Sequence, residues 1–202
     1  MSDKPYNPLE KRRLAESVAK ALLERPVVPL PPDRFLGAGI YAIYYTGPFA
    51  QYAPIAQKNR ESRFEAPIYV GKAVPRGARK GDYGLDAPQG TVLYERLCEH
   101  AKSIEQVSSL DLGDFHCRYC IADDIWIPLG ERLLIEMFLP VWNVYIDGFG
   151  IHAPGRGRQR QRRSTWDTLH PGRPWAGTLP PNDRSIEAII ESANEYLRKN
   201  PP

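Results

Sequence analysis

Two tyrosine-bearing apolar runs constrain this chain more than anything else in it. Residues 38–45 read AGIYAIYY, and residues 67–73 read PIYVGKA. Both are strand-length and rich in the aromatic and β-branched residues that favour sheets. A strand alternates faces at every residue, so Gly39, Tyr41, Ile43 and Tyr45 would share one face and Ile40, Ala42 and Tyr44 the other. At least one phenol then lies in or near a core, where its hydroxyl must find a partner.

Around these strands the hydrophobic periodicity changes to that of helices. In residues 8–24, Leu9, Leu14, Val18 and Leu22 form an amphipathic stripe. Four prolines between Pro26 and Pro32 then impose an extended strap. The segment between the two tyrosine strands is too long for a tight turn and predicts a short helix of its own. Residues 74–90 read as a basic, glycine-rich loop. Residues 91–107 return to helical spacing, with Leu93, Leu97, Ala101 and Ile104 as the stripe and Thr91 as N-cap. Arg96 and His100, four apart, are neighbours on one face of that helix.

Residues 114–123 alternate as a third strand, and residues 125–139 form a helix stopped by Pro140. Glu131 falls on the core-facing side of that helix, among Ile127, Leu134, Ile135 and Phe138; Glu136 faces Arg132 and reads as a solvent ion pair. A carboxylate among apolar residues needs a pairing group or a bound cation. Residues 155–163, GRGRQRQRR, hold five arginines and no acid, and a last amphipathic helix, SIEAIIESANEYLRK, closes the chain.

A net charge of only +3 says nothing about partners, so any case for nucleic acid rests on where the charge gathers. The three cysteines, Cys98, Cys117 and Cys120, lack the second pair or the histidines that complete a tetrahedral metal set, and are read as reduced thiols. On a strand, Cys117 and Cys120 point to opposite faces. From the charged start and the absence of any long apolar run we expect a cytoplasmic protein, neither secreted nor membrane-spanning.

The ordered set GIY at 39–41, YVG at 69–71, Arg96 and His100 on a helix, Glu131 on a later helix and Asn143 twelve residues beyond it resembles the GIY-YIG nuclease superfamily, and within it the type II restriction endonuclease branch. LPPDRF and DGFGIHAPGRG also look like that branch. The spacing of 28 between Tyr41 and Tyr69 is longer than in compact members of the superfamily and fits an inserted loop that contacts DNA. The resemblance implies an α/β (α+β) fold: a three-stranded antiparallel sheet flanked by helices, here with N- and C-terminal helical extensions and long loop insertions. We divide the chain into an N-terminal helix and strap (1–34), a nuclease core (35–150), and a basic loop with C-terminal helix (151–202), one compact unit.

The implied chemistry is hydrolysis of a phosphodiester, which needs an activated water and stabilisation of charge on the phosphate and the leaving oxygen. Arg96 offers a permanent planar donor fork for phosphate. Glu131 is the implied ligand of a Mg²⁺ ion, with Mn²⁺ as a substitute. Tyr41 is the implied base, and its phenol, with an ordinary pKa near 10, needs help near neutrality that His100 can give as acceptor or relay. Tyr69 would orient water or phosphate, Asn143 would brace the site, and Lys72 would reach a phosphate or polarise Tyr69, unless it is simply a solvated lysine at a strand end. Tyr44 and Tyr45 are packing residues. DNA contacts are expected from Lys72, Arg76, Arg79 and Lys80 and from Arg156, Arg158, Arg160, Arg162 and Arg163; the bland alternative for the last five is a solvated arm.

The expectation is a Mg²⁺-dependent endonuclease that cuts double-stranded DNA at a short palindrome, GC-rich by the resemblance and the arginine density. It would act as a homodimer, with a cognate DNA methyltransferase encoded nearby. The alternatives are a GIY-YIG nuclease of repair or mobile elements, and a non-catalytic DNA-binding protein on the same fold.

Overall fold

The computed structural model describes residues 10–75, 90–151 and 161–202. Its sheet is antiparallel throughout, in the order β1 (Val28–Pro29), β4 (Phe115–Ile121), β2 (Gly39–Tyr45), β3 (Pro67–Ala73). The central strand is β2, and all seven of its residues are buried, as a tyrosine-rich run without charge requires. The three expected strands are therefore present, joined by a fourth that the proline strap contributes. Pro29 has no N–H to donate and is tolerated because β1 lies at the sheet edge.

The alternation predicted for β2 separates two cores. Tyr41, Ile43 and Tyr45 pack with α2 (Ala53–Asn59), α3 (Val92–Glu105), α5 (Val141–Val144), α6 (Thr165–Leu169) and α8 (Ile186–Lys199). Ile40, Ala42 and Tyr44 pack on the other face with α1 (Lys11–Leu23) and α4 (Ile127–Phe138). Cys117 belongs to the first core and Cys120 to the second, and burial pushes the Cys117 thiol up to about 12. Tyr44 and Tyr45 are packing residues with satisfied hydroxyls. Arg118 Nη1 donates to Tyr44 at 3.0 Å, and the Phe49 N–H donates to Tyr45 at 2.9 Å.

Several local expectations are altered by tertiary contact. In α1 the buried face is Ala15, Ala19 and Leu22, small residues that let α1 lie close to α4, while Leu14 and Val18 are half-buried. Leu9 lies outside the described residues. Thr91 occupies the N-cap position of α3, but its hydroxyl donates to Glu95 Oε1 at 2.6 Å and not to the helix backbone. Glu136 does not pair with Arg132; it meets Arg12 Nη1 at 3.3 Å and so links α4 to α1. Both partners are exposed, so the contact contributes little.

The long segment between β2 and β3 is tied at its base by the buried Asn59 side chain. Its amide donates to Tyr45 O at 3.0 Å and Ala66 O at 2.8 Å and accepts from Ala66 N at 2.9 Å. At the end of α4, Leu139 takes a left-handed conformation (φ 44°) ahead of Pro140, and its carbonyl accepts the Tyr196 hydroxyl of α8 at 2.7 Å. Among the described residues no helix is long and apolar enough to cross a membrane.

Candidate active site

The site wraps around β3, the sheet edge opposite β1. Residues 69 and 71 of that strand face the first core and residues 70 and 72 the second, so alternation alone assigns the site two sides.

On the first side Tyr41 is fully buried, and its hydroxyl lies 2.6 Å from His100 Nε2. The helical register that puts Arg96 and His100 on one face of α3 thus turns both toward the phenol of β2. Burial pushes Tyr41 well above its ordinary pKa, the neighbouring Tyr69 adds to this, and Arg96, hydrogen-bonded to the same phenol, pulls the other way. Tyr41 is consequently a neutral hydroxyl at neutral pH. It can donate to His100 Nε2, which places the imidazole proton on Nδ1. Tyr69 is likewise raised by burial and drawn back chiefly by Arg96. Burial tends to lower Arg96, but its contacts with Tyr41, Tyr69 and Glu99 together raise it, so its cation is secure.

Two glycines make this packing possible. Gly71 lies opposite Tyr41 in the β2–β3 register, and a Cβ there would strike the Tyr41 hydroxyl. A Cβ on Gly150 would strike the Tyr69 hydroxyl, and the Gly150 carbonyl accepts from Arg96 Nη2 at 2.7 Å. Arg96 Nη1 also meets Glu99 Oε2 at 3.2 Å. The His100 ring is stacked on Phe149 with centroids 4.5 Å apart.

On the second side the Lys72 ammonium is hydrogen-bonded to Glu131 Oε2. Glu131 is less deeply buried than its place on the apolar stripe predicts. Its side chain retains 19% exposure, at the rim where α4 meets β3. The expected polarisation of Tyr69 by Lys72 does not occur, because the two side chains leave β3 on opposite faces and Lys72 is engaged by Glu131. Asn143 holds the strand itself: Oδ1 accepts from Val70 N and Nδ2 donates to Val70 O, both at 2.7 Å. One side-chain amide thus satisfies both edge-facing backbone groups of Val70, in the way a neighbouring strand would.

Of the basic residues expected on DNA, Arg76, Arg79, Lys80, Arg156, Arg158 and Arg160 lie outside the described residues. Arg162 is exposed and paired with Asp183 at 3.0 Å. Arg163 is half-buried, with Nε donating to Ala176 O at 3.3 Å. Sequence reasoning passed over Phe149 and the Gly150 carbonyl. DGFG had marked the segment by resemblance, but a backbone oxygen leaves no signature in residue type.

Among the described residues no three histidine, cysteine or acidic side chains gather as a metal cluster. A cation would therefore meet the single carboxylate of Glu131, whose charge already attracts an ammonium. One hard oxygen donor at an open rim suits an ion that keeps most of its ligands as water and phosphate.

The family model described as the Eco29kI GIY-YIG domain matches residues 33–197. No curated protein matches the chain. With two tyrosine strands side by side, the α3 arginine and histidine turned onto them, and a family match over most of the length, the chain belongs to the Eco29kI family of GIY-YIG nucleases.

Proposed function

We propose that the protein is a site-specific double-strand DNA endonuclease of the type II restriction class, assisted by Mg²⁺, that hydrolyses phosphodiester bonds at a short, GC-rich palindrome. The observation that carries this reading is the 2.6 Å contact between the Tyr41 hydroxyl and His100 Nε2, beside Arg96. Arg96 binds the scissile phosphate through its planar fork. Attack of water on phosphorus forms one P–O bond as the P–O3′ bond breaks, and the departing 3′ oxygen takes a proton from solvent to leave as a hydroxyl. The water proton passes to the Tyr41 oxygen as the Tyr41 proton passes to His100 Nε2, so no free phenolate need form in a site that disfavours it.

Tyr69 orients the phosphate or the water, and Asn143 holds β3 in place. Glu131 would hold the Mg²⁺, for which Mn²⁺ substitutes, and when bound the ion supplies charge stabilisation at the phosphate and the leaving oxygen. Cutting both strands of a palindrome calls for a two-fold homodimer acting on cytoplasmic DNA, and a cognate methyltransferase to protect the host.

Incubation with plasmid and Mg²⁺, followed by mapping of the ends, tests the reading. Discrete fragments support it, random nicking favours a repair-type nuclease, and a gel shift without cutting favours a binding protein. Glu131→Gln should bind the same DNA without cutting it; normal cutting by that variant would refute the assignment of the metal ligand.

A further inference from the structure

The guanidinium of Arg173 is 2% exposed and all five of its donors are engaged. Nε and Nη2 form a bidentate pair with Asp167, each at 2.6 Å. The second Nη2 proton goes to Gly148 O at 2.9 Å, and Nη1 donates to Phe149 O at 3.2 Å and Ile151 O at 3.0 Å. Its central carbon lies over two indoles, 4.6 Å from the Trp166 ring centroid and 4.7 Å from that of Trp175. Asp167 is itself held by the Ser164 hydroxyl at 2.6 Å. Three carbonyls of one short segment, residues 148, 149 and 151, are thus gathered by one cation. The fourth carbonyl of that segment, Gly150, faces the other way and holds Arg96, while the Phe149 ring covers His100.

We propose that Arg173 is a positioning residue for the nuclease site: it sets the conformation of residues 148–151, and through the Gly150 carbonyl and the Phe149 ring it sets the orientation of Arg96 and His100. The proposal rests on the reading of Arg96 and His100 as the phosphate ligand and proton acceptor. Any buried guanidinium needs its donors satisfied, but here the three left over from Asp167 all fall on the one segment whose remaining carbonyl holds Arg96 and whose phenyl ring covers His100, which ties Arg173 to the strand-edge chemistry. Lysine could keep the charge facing Asp167, but three donors on a point cannot reproduce the planar five-donor fork.

The test uses the full chain carrying Arg173→Lys, with Trp175→Leu as a milder variant that loosens one side of the guanidinium and keeps the ion pair. With the plasmid that the unaltered protein cuts, Arg173→Lys should lower the single-turnover cleavage rate by about 10- to 100-fold, the usual effect of a misplaced catalytic group. Metal-free binding of the same duplex should stay within about twofold. In protein labelled with ¹⁵N-histidine, the His100 ring-proton signal, assigned by its loss in His100→Asn, should move away from its ring-shifted position as Phe149 leaves it. Trp175→Leu should produce both changes in smaller degree, and it decides the matter if Arg173→Lys does not fold. A folded variant with an unmoved His100 signal, or with unchanged cleavage, overturns the proposal. If the unaltered protein cuts no DNA, the nuclease reading fails, and the His100 signal alone decides whether Arg173 sets the segment.

Discussion

At the scale of the residue, Tyr41 is set apart from Tyr44 and Tyr45 by its partner. Each of the three is buried and each hydroxyl is engaged, but only Tyr41 meets an imidazole nitrogen, a group that can accept its proton. Tyr41→Phe removes one oxygen from a well-packed ring and should leave the fold intact. Cleavage should fall by about 10²- to 10⁴-fold, the range for loss of a positioned acid or base, measured as single-turnover rates on plasmid DNA with melting curves as the control for folding. Phenolate absorbance gives a second check. Because burial raises Tyr41, the tyrosine absorbance gained between pH 7 and 10 should not differ between the unaltered protein and Tyr41→Phe.

At the scale of the element, β3 is an edge strand whose exposed backbone would otherwise invite pairing, and Asn143 closes it at Val70 with two hydrogen bonds. Asn143→Ala should destabilise the protein by about 1–3 kcal/mol, since two backbone groups lose their partner, and should slow cleavage by disturbing Tyr69 and Lys72 on either side of Val70. Asn143→Asp keeps the acceptor for Val70 N but sets a carboxylate against Val70 O. It should be the worse variant at pH 8 and should recover part of the deficit at pH 5, as its protonated form regains a donor; urea unfolding at the two pH values measures this. Three of the four described strands and most of the described helices were legible as periodicity. The Asn143 clamp was legible only as a motif position, because the twelve residues separating it from Glu131 carry no hint that its amide reaches back to residue 70.

At the scale of the whole molecule, His170 joins three distant segments. Its Nε2 lies 2.7 Å from the Tyr52 hydroxyl and its Nδ1 2.8 Å from the Ser109 hydroxyl, and burial lowers it from 6.5 to about 3. The folded chain therefore holds His170 neutral where the unfolded chain is protonated. Its contribution is complete above pH 6.5 and is lost as pH falls toward 3, at about 1.4 kcal/mol per unit. Between pH 7 and 5 the unaltered protein should lose about 2 kcal/mol more than His170→Gln does, read from urea midpoints of the two proteins at each pH. The comparison between the two cancels the carboxylates, among them Asp114, whose raised pKa acts in the opposite direction.

What the sequence determined by itself was local and periodic: a strand at 39–45 with its faces already divided, a partner at 67–73, and a helix that places Arg96 one turn from His100. These follow from geometry repeating along the chain, so residue spacing is enough to read them. Only the tertiary structure decided which groups meet across the chain. It gave Glu131 a lysine, tied Arg163 to the Ala176 carbonyl, and made an edge strand of the proline strap. It also joined Arg173 to Arg96 through the carbonyls of residues 148–151. Such contacts run through backbone oxygens and between residues far apart in sequence, where spacing carries no information and packing alone makes the choice.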